Sequence, residues 1–468
     1  MRSEKFPPPL PFSGTAAHRA ALRRFPAVTA HCKPLLKTIA ARTKLMQSIP
    51  REGNSAMLKA RIFSLTALLC GLLPFPTATR AAILYVNASG SNPTPPYSSW
   101  FTAATNIQDA VNAASAGDEI IVTNGIYTSE ANFTASSYGV VTSGVSVYDA
   151  LTVRSVNGPR VTIIDGGSQV RCIYLTNGAT LSGFTLTNGT ASDYAAIGGG
   201  ALCESSAVLS NCVLSGNSAV DGGGSYSGVF YNCTFSGNNA AGGGGGIKVG
   251  VLYGCLVVGN SAQKSGGGAY ISSLYNCAVV GNSPDGVEGY NSNHIPEPSY
   301  AYNCIIYFNS NRDVVVCELD HSCIGSGEDP GTSSFTNNPF FIDTAIGDYR
   351  LQSGSPCIDA GANEWVTNST DLDGNPRIVN GTVDMGAYEY QINVPAPVLQ
   401  AVTQTNGLVT LTWTSANGQL YQPQYNPDMS PGNWSNLGPP LVATGPTAST
   451  TDPLAANTQR FYRIVMLR

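Results

Sequence analysis

The sequence predicts an all-β protein, a parallel β-helix followed by a small β-sandwich. Three observations carry that prediction. Of 468 residues 51 are glycine, while charged residues make up only 11% of the chain and mean hydropathy is 0.00. There is no heptad pattern and no G-X-Y period, which excludes a coiled coil and collagen. Most telling is an internal repeat. Asn211-Cys212-Val213-Leu214-Ser215-Gly216-Asn217 aligns with the segments starting at Asn232, Gly254, Asn276 and Asn303, whose cysteines lie 21, 22, 22 and 27 residues apart.

The elements follow in chain order. Residues 1–82 carry a net charge of +11 and the remainder −16. Within that leader, 57–82 reads as a secretion signal: Lys59 and Arg61, an apolar stretch from Ile62 to Leu73, then Ala81 and Ala82. The stretch is too short to span a bilayer, and Leu69 before Cys70 is too large for a lipoprotein site. Residues 1–56 resemble neither signal nor domain, so translation is expected to begin at Met57. Asn106 is an N-cap for a short helix with Ile107, Ala110, Val111 and Ala114 on one face and Gly117 as its stop. That helix is expected to plug the open end of the solenoid core. Early strands are expected around Glu119–Val122, Leu151–Arg154, Val161–Ile164 and Ile173–Leu175.

In the repeats, each Cys and the apolar residue two positions on point to the same side of a strand, so both face inward. Cys212, Cys233, Cys255, Cys277 and Cys304 then form one internal column, with coils about 4.8 Å apart. Asn217, Asn238, Asn260, Asn282 and Asn309 form a second column, a corner ladder bonded amide to amide. Glycine runs at 222–224, 242–246 and 266–268 mark the remaining turns. A looser copy, Gly183-Phe184-Thr185-Leu186, precedes them with Phe in place of Cys. Leucine-rich repeats share the period, but their L-x-x-L-x-L frame is absent.

These residues support a family resemblance. Ile107-Gln108-Asp109-Ala110-Val111, Gly117-Asp118 and Gly125-Ile126-Tyr127 resemble the opening of secreted right-handed β-helix proteins with the pectate-lyase-like fold. Arg350-Leu351-Gln352-Ser353-Gly354-Ser355-Pro356-Cys357-Ile358-Asp359, together with Asp371-Leu372-Asp373-Gly374 and Asp384-Met385-Gly386-Ala387-Tyr388-Glu389, resembles the "choice-of-anchor Q" segment of such proteins. The resemblance implies a fold and an exported, surface-associated setting, not an activity. The expected organisation is a β-helix over 83–330, an anchor-like end of the solenoid over 331–392, and a module over 396–468. That module resembles a fibronectin type III domain in its Trp413 strand and its closing tyrosine strand. It reads as a spacer or attachment domain, with a sugar-binding platform of Tyr421, Tyr425 and Trp434 as the alternative.

Candidate chemistry is sparse. Two histidines after the leader, His294 and His321, and no G-x-S-x-G elbow argue against a catalytic triad. Hydrolysis needs two carboxylates about 5–9.5 Å apart, and Asp193, Glu204 and Asp221 are the candidates. Eliminative cleavage needs a base, and Lys264 falls in one column with Asp221, two coils on and about 10 Å away. Tyr226, Tyr270 and Trp434 are the aromatic candidates for binding sugar. Asp371, Asp373 and Asp384 are candidates for Ca²⁺, against a plain reading as Asx-turns. Of the ten cysteines beyond the leader, the ladder set reads as buried thiols and Cys317–Cys323 as the better disulfide pair.

The expectation is an exported or cell-surface protein that binds extended glycans or serves as a surface scaffold. The alternatives are a polysaccharide lyase or hydrolase, or a protein-binding adhesin. A charge of −16 after the leader argues against nucleic acid as partner. A monomer with no membrane-spanning segment once the signal is removed completes the expectation.

Overall fold

The computed structural model describes residues 81–467 except 129–130, 291–296, 392–395, 417–418, 429–432 and 454–458. The leader, its cleavage signal and His294 lie outside the described residues, apart from Ala81 and Ala82. Among the described residues, no helix is long and apolar enough to cross a membrane.

The solenoid is a parallel β-helix with three faces. Face A stacks ten strands from Ile83–Val86 to Cys317–Asp320, and face B stacks nine from Gly125–Thr128 to Cys323–Ile324. Face C stacks nine more, from the antiparallel hairpin strand Asn132–Ser136 to Arg312–Val315. The register is uniform through the repeats: Leu209, Phe230, Leu252 and Leu274 pair in sequence on face A, and Leu214, Phe235, Val257 and Val279 on face B. All eight are fully buried. Period-two alternation puts every second residue of these short strands in the core and its neighbours outside.

The helix forms where expected, over Ile107–Ala113 (α1). The Asn106 side chain accepts the Asp109 N–H, and Ile107, Ala110 and Val111 join the core cluster of the first coils.

Both predicted columns are present. Each ladder thiol donates to the carbonyl two residues before it, at 3.2–3.5 Å, and Sγ of Cys233, Cys255 and Cys277 accepts the N–H of the preceding ladder cysteine. Phe184 occupies the same position one coil earlier, fully buried. In the second column, Nδ2 of Asn217, Asn238, Asn260 and Asn282 donates to Oδ1 of the next asparagine at 2.8–3.0 Å. Asp313 ends the ladder, accepting the Asn309 N–H at 3.0 Å and its Nδ2 at 2.7 Å.

Phe335 adds one last parallel bridge to face B at Cys323, and residues 336–390 form no further coil. They fold back as a strap along the outside of face B. Phe341, Leu351, Cys357, Met385 and Ala387 bury against the outward residues Leu256, Ala278, Val280, Ile305 and Cys323. Three of the asparagines that precede ladder cysteines grip this strap. Asn232, Asn276 and Asn303 sit in left-handed backbone at the A–B corner (φ 51°, 53°, 54°). Their Nδ2 groups donate to the carbonyls of Asp371 (3.1 Å), Trp365 (3.0 Å) and Ala362 (2.8 Å). Gly254 breaks the Asn pattern because a Cβ there would meet Asn232 Oδ1 at 2.5 Å and Asn368 Nδ2 at 2.7 Å.

The strap holds a buried charge cluster. Arg377 donates through Nη2 to the carbonyls of Asp384 (3.0 Å) and Gly386 (2.7 Å), and its Nη1 stands 3.9 Å from Glu389. Burial pushes the Asp384 carboxyl up to about 6 and that of Glu389 up to about 7, against backbone N–H donors and Arg377 that favour the charged forms. Both native values exceed the unfolded ones, so the native state holds the extra protons. The associated stability is fully present below about pH 4 and is lost as pH rises through about 6–7. Urea midpoints compared between pH 5 and pH 8 should show this decline, and Glu389→Gln should flatten it. An equal decline in the variant would assign the effect to other groups.

The C-terminal module has two antiparallel sheets. Leu399–Thr405, Leu408–Thr414 and Thr447–Pro453 form one. In the other, Leu420–Asn426 pairs with Phe461–Leu467 on one edge and with Ser435–Asn436 and Leu441–Val442 on the other. Trp413 and Tyr421 are fully buried between them, 6.1 Å apart.

Candidate functional site

Four side chains leave face C in one outward column: Tyr226, Lys248, Tyr270 and Glu288, each paired in register with the next. Asp221 comes from the preceding turn. Lys248 Nζ lies 3.0 Å from Asp221 Oδ2 and 5.2 Å above the centre of the Tyr270 ring. Asp221 Oδ1 accepts the Gly243 N–H at 2.9 Å. Asp221, Lys248 and Tyr270, with Lys264 and Ser265, enclose an open recess of about 250 Å³. Its floor has to be glycine. A Cβ on Gly242 would stand 2.5 Å from Asp221 Oδ1, and one on Gly243 2.7 Å from Tyr270.

The electrostatics are mixed. Asp221 and Lys248 neutralise one another, which leaves the exposed Lys264 as a cation at the rim. On the far side of Tyr270, Glu288 accepts the Gly266 N–H at 2.7 Å, and burial raises its carboxyl above the usual range. Burial, and then Glu288, raise the Tyr270 phenol. Asp221 and Glu288 are about three coils, or about 14 Å, apart along the axis. That exceeds the separation a pair of hydrolytic carboxylates requires.

Of the sequence candidates, the structure brings together Asp221, Lys264 and Tyr270, with Tyr226 adjacent in the column. Lys248, not among the sequence candidates, proves to be their link; its register with Tyr226 and Tyr270 was the signal. Asp193 and Glu204 serve other ends. Asp193 receives the fully buried Arg171 (Nη1, 3.1 Å) and the N–H groups of Thr142 and Ala196. Burial opposes ionisation there, but Arg171 and the amides hold the carboxyl below its ordinary value. Glu204 accepts Ser137 N–H and Oγ–H and the Tyr174 hydroxyl at 3.0 Å. Both carboxylates therefore fasten the 132–147 hairpin to face C.

The Ca²⁺ candidates do not converge. Asp371 accepts the N–H groups of Asn375 and Glu389, Asp384 those of Asp359 and Tyr390, and Asp373 lies 3.8 Å from Arg350. The oxygens of Asp371 and Asp384 are turned onto strap amides, the behaviour of turn carboxylates. Among the described residues, no group of three or more His, Cys, Asp or Glu could hold a metal ion. The expected Cys317–Cys323 bridge is not formed, because the two side chains lie on opposite sides of the solenoid wall. Cys317 pairs with Ser299 on face A and belongs to the interior core, whereas Cys323 pairs with Ile305 on face B and points outward beneath the strap.

Two aromatic groups that could have served sugars are otherwise engaged. Tyr231, Tyr253 and Tyr275 stack 4.9 Å apart with interplanar angles of 10° and 16°, and Trp365 stacks on Tyr302 at 4.5 Å. Rings stacked this way offer edges rather than faces. In the C-terminal module Tyr421 is core, Arg460 covers Tyr425 at 4.1 Å, and Arg463 covers Trp434 at 4.3 Å.

Fold and recess define the class: a parallel β-helix protein with an open flank on which charged and aromatic side chains from successive coils meet. No family model matches the chain, and no curated protein matches it. Similar solved structures include a pectate lyase (14% identity, 67% of this chain and 97% of that one, TM-score 0.41). A rhamnogalacturonan lyase is similar at 14% identity over 64% of this chain and 90% of its own, with a TM-score of 0.36. XylC in complex with xylose is similar at 9% identity over 82% and 100%, with a TM-score of 0.30.

Proposed function

We propose that the protein is exported and binds an extended polysaccharide along face C, with the recess at Asp221, Lys248, Lys264 and Tyr270 as the subsite for one sugar. The observation that carries this reading is the open recess itself, where an ion pair, an uncommitted lysine and a tyrosine ring are contributed by neighbouring coils. A column repeating about every 4.8 Å is commensurate with successive rings of an extended chain. The pectate lyase and rhamnogalacturonan lyase among the similar structures agree with a polysaccharide partner, without adding to the argument.

Binding to a panel of neutral and acidic polysaccharides tests the proposal. Lys264→Ala should weaken the bound member about tenfold, a loss of about 1.4 kcal/mol, with its urea midpoint unchanged because the side chain is exposed. Absence of binding across the panel, or an unaltered affinity in the variant, would sink it. A second reading, eliminative cleavage, is favoured by the uncommitted Lys264 side chain in the same recess as Asp221. Ultraviolet absorbance of an unsaturated product, lost in Lys264→Ala, would establish it.

A further inference from the structure

We infer that Cys323 and Cys357 are a disulfide-forming pair that locks the strap covalently onto face B. Ten described cysteines are free and buried, and their placement separates this pair from the others. The ladder thiols sit in one in-register column, each Sγ engaged by backbone groups, and their parallel Cβ atoms about 4.8 Å apart are poorly placed for a disulfide. Cys323 departs from that column. It occupies the outward register position of Ile305, so its side chain leaves the solenoid and enters the layer under the strap. Cys357 enters the same buried layer from the opposite side, on the strap, where its thiol acts on that of Cys323. Both are fully buried, and Cys323 also donates to the Asn337 carbonyl at 3.0 Å. Cys317, the nearer partner in sequence, is separated from Cys323 by the wall of the solenoid.

The step needs a disulfide oxidant such as oxidised glutathione. One protein thiolate attacks an oxidant sulfur and releases one reduced thiol. The second protein thiolate then displaces the other, so one protein S–S bond forms as the oxidant S–S bond is lost and two oxidant thiols carry away the protons. Cys357 and then burial hold the Cys323 thiol well above its ordinary range, so closure is expected to be slow once the strap is docked.

The test uses the full-length chain, incubated with oxidised glutathione, alkylated in denaturant, and digested with trypsin and a Glu-specific protease. Cleavage after Glu318 separates Cys317 from Cys323. The expected product is a peptide carrying Cys323 joined to one carrying Cys357, with the ladder cysteines alkylated. The oxidised chain should melt several degrees higher than the same chain in dithiothreitol, a difference absent from Cys323→Ser/Cys357→Ser. Alkylation of both cysteines in the oxidised sample, or linkage of either one elsewhere, would overturn the inference. The peptide map of the unaltered chain decides this even if the double variant fails to fold.

Discussion

Replacing Asn238 with alanine is expected to destabilise the solenoid by about 3–5 kcal/mol, because several buried partners are orphaned together and each costs about 1–3 kcal/mol. Asn238 is fully buried. Its Oδ1 accepts the Asn217 N–H at 3.0 Å and Nδ2–H at 2.9 Å, and its own Nδ2 donates to the Leu214 carbonyl (2.9 Å) and Asn260 Oδ1 (2.8 Å). Alanine removes all four bonds and leaves no route for water into a dry corner. Asn238→Asp should be at least as harmful, since it sets an acceptor against the acceptors of Leu214 and Asn260. Asp313→Asn is the contrast. Asp313 closes the ladder with no further amide to donate to, and its second oxygen meets the Ser326 hydroxyl at 3.0 Å, a group that can reverse its role. A loss of about 1 kcal/mol or less is expected there. Equal urea midpoints for Asn238→Ala and Asp313→Asn would show that the column is ornament rather than support.

Gly245→Ala should cost more than about 4 kcal/mol, the range of mutations that force steric rearrangement in a packed core. A Cβ at this position would stand 2.3 Å from the Ser261 carbonyl oxygen and 2.4 Å from that of Gly267. Gly223 and Gly267, its neighbours in the stack, are equally closed, with carbonyls at 2.3 Å and 2.1 Å. The backbone cannot yield without breaking the coil-to-coil hydrogen bonds of that corner, such as Gly245 N–H to Gly266 O and Gly223 N–H to Gly244 O. Gly259 supplies the comparison: its φ is +61°, and nothing lies within 4 Å of an added Cβ. Alanine there meets only the left-handed backbone penalty, about 1 kcal/mol. Should thermal unfolding rank the two variants the other way, close approach would not be the reason for glycine in the runs.

Much of this architecture was legible because a solenoid writes its core as a repeat. Cys212 to Cys304, the apolar residue two places on, and Asn217 to Asn309 recur at one spacing, and stacking in register is the arrangement that buries all three columns at once. The α1 cap was legible for a different, local reason: Asn106, then Ile107, Ala110 and Val111, state a capped amphipathic turn without reference to anything distant.

The candidate site was legible only in part. Asp221 and Lys264 could be aligned by counting from the cysteines, but counting does not show which carboxylates are already engaged. Asp193 and Glu204 look as available in the sequence as Asp221, and it is the 132–147 hairpin docked on the Arg171–Leu175 strand that supplies them with Ser137, Arg171 and Tyr174. Asp371 and Asp384 likewise resemble cation ligands until the strap closes and turns their oxygens onto its own amides.

The sequence by itself determined the coil, its inward columns and its N-terminal cap, since these depend on residues whose spacing along the chain equals their spacing in the stack. Tertiary structure alone decided the strap. Residues 336–390 lie against coils up to 139 residues earlier, so no periodicity announces the contact. Only when the strap docks do the corner asparagines become its grips, and only then does Cys323 meet Cys357 instead of Cys317. The physical reason is common to all of these. A periodic chain fixes its own neighbours, whereas an aperiodic one finds them by burying whatever apolar and polar surface the periodic part leaves exposed.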